Sequence, residues 1–142
     1  MISNRFAVAV HILSLLEINK EERVTSEFIA GSVNTNPVVI RRIIGLLNKA
    51  GLVRTNAGVA GATIARPVEQ ITLLDIYRAV QTDAQEELFA IHDKPNPDCG
   101  VGRHIQGSLE AAFTEAQLAM EQKLSSMTLE QITTSISRKL EG

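Results

Sequence analysis

The sequence contains a long segment with basic side chains and no acidic ones. The 41 positions from Phe28 to Val68 hold no Asp or Glu, although the chain has 16 acidic residues among its 142. Guanidinium and ammonium groups bind phosphates, and every phosphate they neutralise releases a bound counterion. The pattern therefore predicts recognition of a polyanion. The basic residues of this segment are Arg41, Arg42, Lys49, Arg54 and Arg66.

The two halves of the chain differ in charge. Residues 1–70 carry eight Lys or Arg against five Asp or Glu, whereas residues 71–142 carry six against eleven. The overall charge of −2 is therefore the sum of two unlike halves. Such asymmetry indicates contact with nucleic acid. Four Phe, one Tyr and no Trp offer little surface for base stacking, which favours duplex over single strands. The alternative is a solvated basic face without a ligand.

Two short helices joined by a tight turn should present these cations. Thr25 or Ser26 caps a helix that ends at Val33 and directs Phe28, Ile29 and Val33 inward. Asn36 and Pro37 then start a second helix, because Asn supplies a capping oxygen and Pro fits the first turn. This helix has a core-facing stripe and ends before Gly51, a residue suited to a left-handed conformation. The stripe comprises Ile40, Ile43, Ile44 and Leu47.

A hairpin follows the two helices. The β-prone runs Leu52–Thr55 and Ala62–Ala65 flank a tip predicted at Gly58 and Gly61, and Pro67 ends the hairpin. Helix, turn, helix and hairpin is the order of a winged helix-turn-helix domain. The predicted fold class is mainly α, with a two-stranded β wing and a long C-terminal dimerisation helix.

The remaining helices indicate a dimer. The first, from about Asn4 to Glu17, is apolar on all sides, which predicts that a second chain covers it. A capping box from Thr72 to Asp75 opens a helix to about Val80, and a second from Thr128 to Gln131 opens the last one. Between them a helix over 101–125 would exceed about 35 Å and needs a partner for its apolar stripe. That stripe is Ile105, Leu109, Ala112, Phe113, Ala116, Met120 and Leu124. The line from Arg103 to Glu121, which includes Gln117, should face water.

Three segments are expected: a winged helix-turn-helix DNA-binding domain (1–82), a connector (83–100), and the dimerisation and terminal helices (101–142). The apolar run from Phe6 to Leu16 lacks a cleavage site and is too short to span a bilayer, so no membrane association is expected. One cysteine fits a reducing cytoplasm. No nucleophile motif or oxyanion loop supports an enzyme.

The second helix of the pair should enter the major groove by its first turns. Its outward residues include Val38, Val39, Arg41 and Arg42, which we predict to contact bases, the arginines reading guanine and the valines thymine methyl groups. Phosphate and wing contacts are expected from the adjoining segments, although Glu27 opposes a close approach there. These are Thr25, Ser26, Lys49, Arg54, Asn56 and Gly58.

Cys99 is a possible redox sensor. It precedes the long helix, whose N-terminus favours a thiolate, although neighbouring Asp98 opposes this. The segment from His92 to His104 gathers potential zinc ligands, but their spacing fits no standard zinc site, so no metal is predicted. The alternative is a polar connector with a structural remnant of a cysteine.

Several segments resemble the Rrf-two (Rrf2) family of bacterial transcriptional regulators, which includes IscR, NsrR and CymR types. These are Ala50–Val53 with the following hairpin, Ile71–Val80 and Met127–Ile132, and the run Asn34–Arg42 is similar to the YwnA-type branch. The resemblance implies a homodimer bound to a palindromic operator, usually as a repressor, with base-reading residues at Val38, Arg41 and Arg42.

The sequence departs from this family in two places. Many members carry an arginine at the wing tip, where this chain has Ala57. Cluster-binding members have three cysteines before the long helix, whereas Cys99 stands alone here, so we predict no iron–sulfur cluster and no cofactor. A winged-helix module that binds protein instead of DNA is the alternative function.

Overall fold

A computed structural model describes residues 4–56, 58–81 and 95–142. Most of the predicted connector and the wing-tip residue Ala57 lie outside these residues. The elements, in order, are α1 (Asn4–Ile18), α2 (Ser26–Val33), α3 (Pro37–Lys49), β1 (Val53–Asn56), β2 (Val59–Ile64), a short 3-10 helix (Val68–Gln70), α4 (Leu73–Val80), α5 (Gly100–Ser125) and α6 (Leu129–Glu141). The predicted class is confirmed: a mainly helical winged helix-turn-helix protein with a two-stranded wing and a long C-terminal helix.

Helix α1 lies at the centre of the core. Its residues Ala9, Ile12 and Leu13 have no exposed surface, and Phe6, Val8, Val10 and Leu15 also pack against the core. The helix contacts α2, α3, α4, α6 and β2 of its own chain. Because these elements surround it, an all-apolar α1 is explained without the second chain that the sequence led us to expect.

Helices α2 and α3 begin where their caps predict. The hydroxyl of Thr25 accepts a hydrogen bond from the Phe28 amide at 3.1 Å, and the side-chain oxygen of Asn36 accepts one from the Val39 amide at 3.1 Å. Asn34 turns the chain between them with a positive φ of 66°. These local interactions fix the start of α3, the helix expected to meet DNA.

Helices α4 and α6 begin side by side. Thr72 and Thr128 pair as an isolated antiparallel bridge, and both predicted capping boxes are formed. Backbone hydrogen bonds of 2.8 Å join the Leu73 amide to the Met127 carbonyl and the Leu129 amide to the Ile71 carbonyl. Leu129 is fully buried as a result, so α6 contributes to the same core as α1.

The wing is an antiparallel pair in which Val53 lies opposite Ile64 and Asn56 opposite Val59. The tip prediction was correct for Gly58, whose φ is +75°, but wrong for Gly61, which lies within β2. Gly61 has a φ of +96°, and a Cβ there would lie 2.9 Å from the Val24 carbonyl oxygen. Glycine is required because β2 passes against the backbone of the segment between α1 and α2.

Helix α5 rests on α4 through polar side chains. The amide of Gln117 donates to the Tyr77 hydroxyl at 3.2 Å, and Arg78 pairs with Glu121 at 3.0 Å. The expectation that Gln117 and Glu121 face water was therefore wrong, because this side of α5 packs on the winged domain. No helix in the described ranges is long and apolar enough to cross a membrane.

Candidate nucleic-acid interface

The exposed face of α3 carries the side chains expected to reach base edges. Ile40, Ile43, Ile44 and Leu47 are buried as predicted, and this fixes the rotation of the helix about its axis. Val38, 60% exposed, and the exposed Arg41 and Arg42 therefore project outward from the first two turns. Asn48 and Lys49 are exposed further along the helix.

Two apolar side chains near this face differ from expectation. Val39 is half-buried and packs against the core, so it is less available to a ligand than Val38. Phe28, expected inside, is 53% exposed, because Ile29 and Ala30 occupy the buried side of α2. A one-residue error in helical phase is 100°, enough to move a side chain from core to surface.

The wing and the start of α2 adjoin α3. A cleft of about 380 Å³ is lined by Ser26 and Glu27 of α2, by Arg41 and Asn48 of α3, and by Thr55 of the wing, together with Ile44, Gly45, Gly61 and Ala62. Arg54 and Asn56 are exposed on β1, and Gly58 is exposed at the tip. Several of the elements predicted to hold DNA thus meet around one concave surface.

The residues expected to hold phosphates differ in availability. Thr25 and Ser26 are half-buried, and the Thr25 hydroxyl already accepts the capping hydrogen bond from Phe28. Lys49 and Arg54 are exposed and have no ion-pair partner among the described residues. A long cationic side chain without an ion-pair partner can reach a phosphate oxygen, so Lys49 and Arg54 are the better candidates for phosphate contacts.

Sequence reasoning missed the partner of Arg41. Its Nη2 donates to Oε1 of Glu27 at 2.7 Å. Arg42 has no such partner among the described residues. Because 14 positions separate Glu27 from Arg41, no local pattern reveals the pair, and only the turn between α2 and α3 brings them together.

The candidate sensor Cys99 and the apolar stripe both belong to α5 or its N-cap. Cys99 is exposed at the N-cap of α5 and makes no side-chain capping bond. Ile105, Leu109, Phe113, Ala116 and Met120 are all half-buried, with none of them in the core. Among the described residues no three His, Cys, Asp or Glu side chains form a group that could hold a metal ion, and His92 lies outside those residues.

The fold and this face define a winged helix-turn-helix protein whose helix α3 exposes two arginines, and proteins of this class typically meet duplex DNA in the major groove. The family model of Rrf2, described as an iron-dependent transcriptional regulator, matches residues 2–135. The chain belongs to the Rrf2 family.

Individual relatives agree with this assignment. YwnA of Bacillus subtilis (strain 168), a candidate HTH-type transcriptional regulator, is 52% identical over 132 residues, which is 93% of this chain and 96% of YwnA. A crystal structure of a candidate DNA-binding protein has 46% identity and a TM-score of 0.73, covering 90% of this chain and 97% of that one. CymR, the global cysteine regulator of B. subtilis, shares the fold with a TM-score of 0.67 at 20% identity, over 94% of this chain and 96% of CymR.

The cysteine-ligated iron–sulfur cluster of some Rrf2 regulators does not fit this chain. Such a cluster takes about four ligands, usually cysteine thiolates. The sequence has one cysteine, and it lies exposed at a helix start. Two copies of the chain would supply two thiolates, still fewer than the cluster takes.

Proposed function

We propose that this protein is a homodimeric transcriptional regulator that binds a palindromic operator in duplex DNA and represses transcription without an iron–sulfur cluster. The observation that carries the proposal is the exposed start of α3, where Val38, Arg41 and Arg42 project beside a wing bearing Arg54. Membership in a family of transcriptional regulators supports the same reading. Such a protein would act in the cytoplasm and would not be an enzyme.

The roles of individual residues follow from their positions. Arg41 and Arg42 lie in the half of α3 that reaches base edges, where a guanidinium can donate two hydrogen bonds to one guanine. Val38 offers methyl groups to thymine. The half-buried Val39, which packs against the core, would add its smaller exposed surface to this contact. Lys49, Arg54 and Asn56 would follow the phosphates, together with backbone amides near Thr25, Ser26 and Gly58.

A dimer is proposed because an α3 on each copy would reach two successive major grooves. Dimeric helix-turn-helix proteins bind half-sites about 34 Å apart, so a two-fold axis in the protein matches a palindrome in the DNA. The stripe from Ile105 to Met120 would form the interface on α5. The proposed organisation is thus a winged domain (1–82), a connector (83–100) with Cys99 as a possible redox sensor, and a dimerising segment (101–142).

The test begins with footprinting on the promoter upstream of the protein's own reading frame. Fluorescence anisotropy on the protected duplex then compares Arg42→Ala with Arg138→Ala, a matched control on the exposed last turn of α6. Loss of a bidentate guanine contact should cost about 1–3 kcal/mol, or roughly 5- to 150-fold in affinity. If the two variants bind the duplex with equal affinity, Arg42 does not contact a base. If the wild-type protein binds no duplex even at low salt, the protein-binding alternative is favoured instead.

A further inference from the structure

The ion pair between Glu27 and Arg41 lies within the proposed DNA-binding face. Glu27 belongs to the first turn of α2 and Arg41 to the second turn of α3, and their side-chain atoms approach to 2.7 Å. The side chains are 66% and 57% exposed, so the pair lies at the surface and not in the core. Both residues line the cleft between α2, α3 and the wing.

Folding accounts for only a small part of this carboxylate: its place in the first turn of α2 is favoured by the helix dipole, an effect that is weak at an exposed site. Ion pairs between exposed side chains contribute little to stability, because water and salt screen them and two long side chains lose freedom. Glu27 is also the last acidic residue before the 41 positions that have none. Of the described residues that line the cleft, Glu27 is the one with an acidic side chain. A carboxylate at the edge of a surface otherwise free of acids is placed where its charge would alter what that surface binds.

The pair makes the two adjacent arginines unequal. Arg42 presents a whole positive charge, whereas the charge of Arg41 is balanced by Glu27. Non-specific binding to DNA comes from cations that displace counterions along the phosphates, so Arg41 should add little to it while paired. A guanidinium has five N–H donors, and Glu27 occupies one nitrogen of Arg41. The remaining donors can still meet the acceptor edge of a guanine.

We propose that Glu27 is a specificity-determining residue, which holds Arg41 for a base edge and withholds it from phosphates. This inference rests on the proposed DNA-binding function and deepens it. In complexes with random sequence, Arg41 stays neutralised and contributes no counterion release. In the operator complex, a guanine placed opposite Arg41 supplies acceptors that random phosphate contact does not. Glu27 therefore widens the gap between the two affinities.

The test measures binding to the footprinted operator and to a scrambled duplex of equal length, at several salt concentrations. Glu27→Gln keeps the shape of the side chain and removes its charge. The affinity of this variant for the scrambled duplex should rise about three- to fivefold near physiological salt, and its log–log salt slope should steepen by about 0.9. Operator affinity should change less, so the ratio of operator to scrambled affinity falls.

Two controls separate this effect from a general change of charge. Glu130→Gln removes one exposed acidic charge on α6, which packs on α1 and the 3-10 helix, and should leave the ratio unchanged. In an Arg41→Ala background, Glu27→Gln should raise both affinities by the same factor, because the unpaired carboxylate repels any phosphate, and should leave the ratio of operator to scrambled affinity unchanged.

The outcomes are distinguishable. The inference is overturned if Glu27→Gln in the wild-type background leaves both affinities unchanged or raises both by the same factor, or if it lowers the ratio equally in the Arg41→Ala background. Each of these results leaves the proposed function standing, because the wild-type protein still prefers its operator. If the wild-type protein binds neither duplex, the proposed function fails, and this inference fails with it.

Discussion

The contact between the wing and the segment before α2 can be tested at Gly61. Replacement with Ala forces a non-glycine residue to adopt a φ of +96° and places a Cβ 2.9 Å from the Val24 carbonyl oxygen and 3.2 Å from Cγ of Arg23. A left-handed backbone costs roughly 1–2 kcal/mol for a residue with a Cβ. Overpacking against a backbone atom adds typically about 1–3 kcal/mol. We therefore expect Gly61→Ala to lower the free energy of unfolding by about 2–5 kcal/mol.

Two other glycines isolate the components of this cost. Gly58 has a φ of +75° with no heavy atom within 4 Å of an added Cβ, so Gly58→Ala should cost only the conformational part, roughly 1–2 kcal/mol. Gly31 lies inside α2 and also has open space, so Gly31→Ala should stabilise by about 0.5–1 kcal/mol through its higher helix propensity.

Thermal unfolding followed by circular dichroism, at one fixed protein concentration, compares the three variants. For a chain of this length 1 kcal/mol shifts Tm by about 3–5 °C, so the Tm of Gly61→Ala should lie about 6–25 °C below that of the wild type. The fixed concentration matters because association makes Tm concentration-dependent. If Gly61→Ala proves as stable as Gly58→Ala, β2 does not pass close to the Val24 carbonyl, and the described docking of the wing is wrong.

The remaining predictions concern the C-terminal helices. Leu129→Ala should destabilise by about 2–5 kcal/mol in urea unfolding because Leu129 is fully buried, whereas Leu140→Ala, at a residue 71% exposed, should stay within about 0.5 kcal/mol of wild type. Equal effects would contradict the packing of α6 into the core. Leu109→Asp should convert the proposed dimer to monomers in light scattering. Leu118→Asp, nine residues along α5 and so on its opposite face, should not. A dimer that survives Leu109→Asp would place the interface elsewhere.

The start of each capped helix could be predicted from the sequence because caps act within four residues. Thr25, Asn36, Thr72 and Thr128 each accept a hydrogen bond from the amide three positions ahead. The buried stripe of α3 was equally predictable, since helical periodicity converts spacing directly into a face. That stripe in turn fixed the outward direction of Arg41 and Arg42.

Properties that depend on a distant segment were not predictable. Val24 decides the conformation at Gly61, and Tyr77 and Arg78 decide that Gln117 and Glu121 are covered. For α1, five elements of the same chain supply the packing that seemed to need a partner. The composition of a helix records how much of it is buried, but not which surface buries it.

By itself, then, the sequence determined the order of the elements, the caps and the basic, acid-free character of the α3–wing region, because these depend on neighbouring residues and on charge counts. Only the tertiary structure decided that Glu27 meets Arg41, while Arg42 has no ion-pair partner among the residues that the structure describes. The physical reason is that an ion pair depends on a distance of a few ångströms, and across 14 residues that distance is set by how α2 packs on α3.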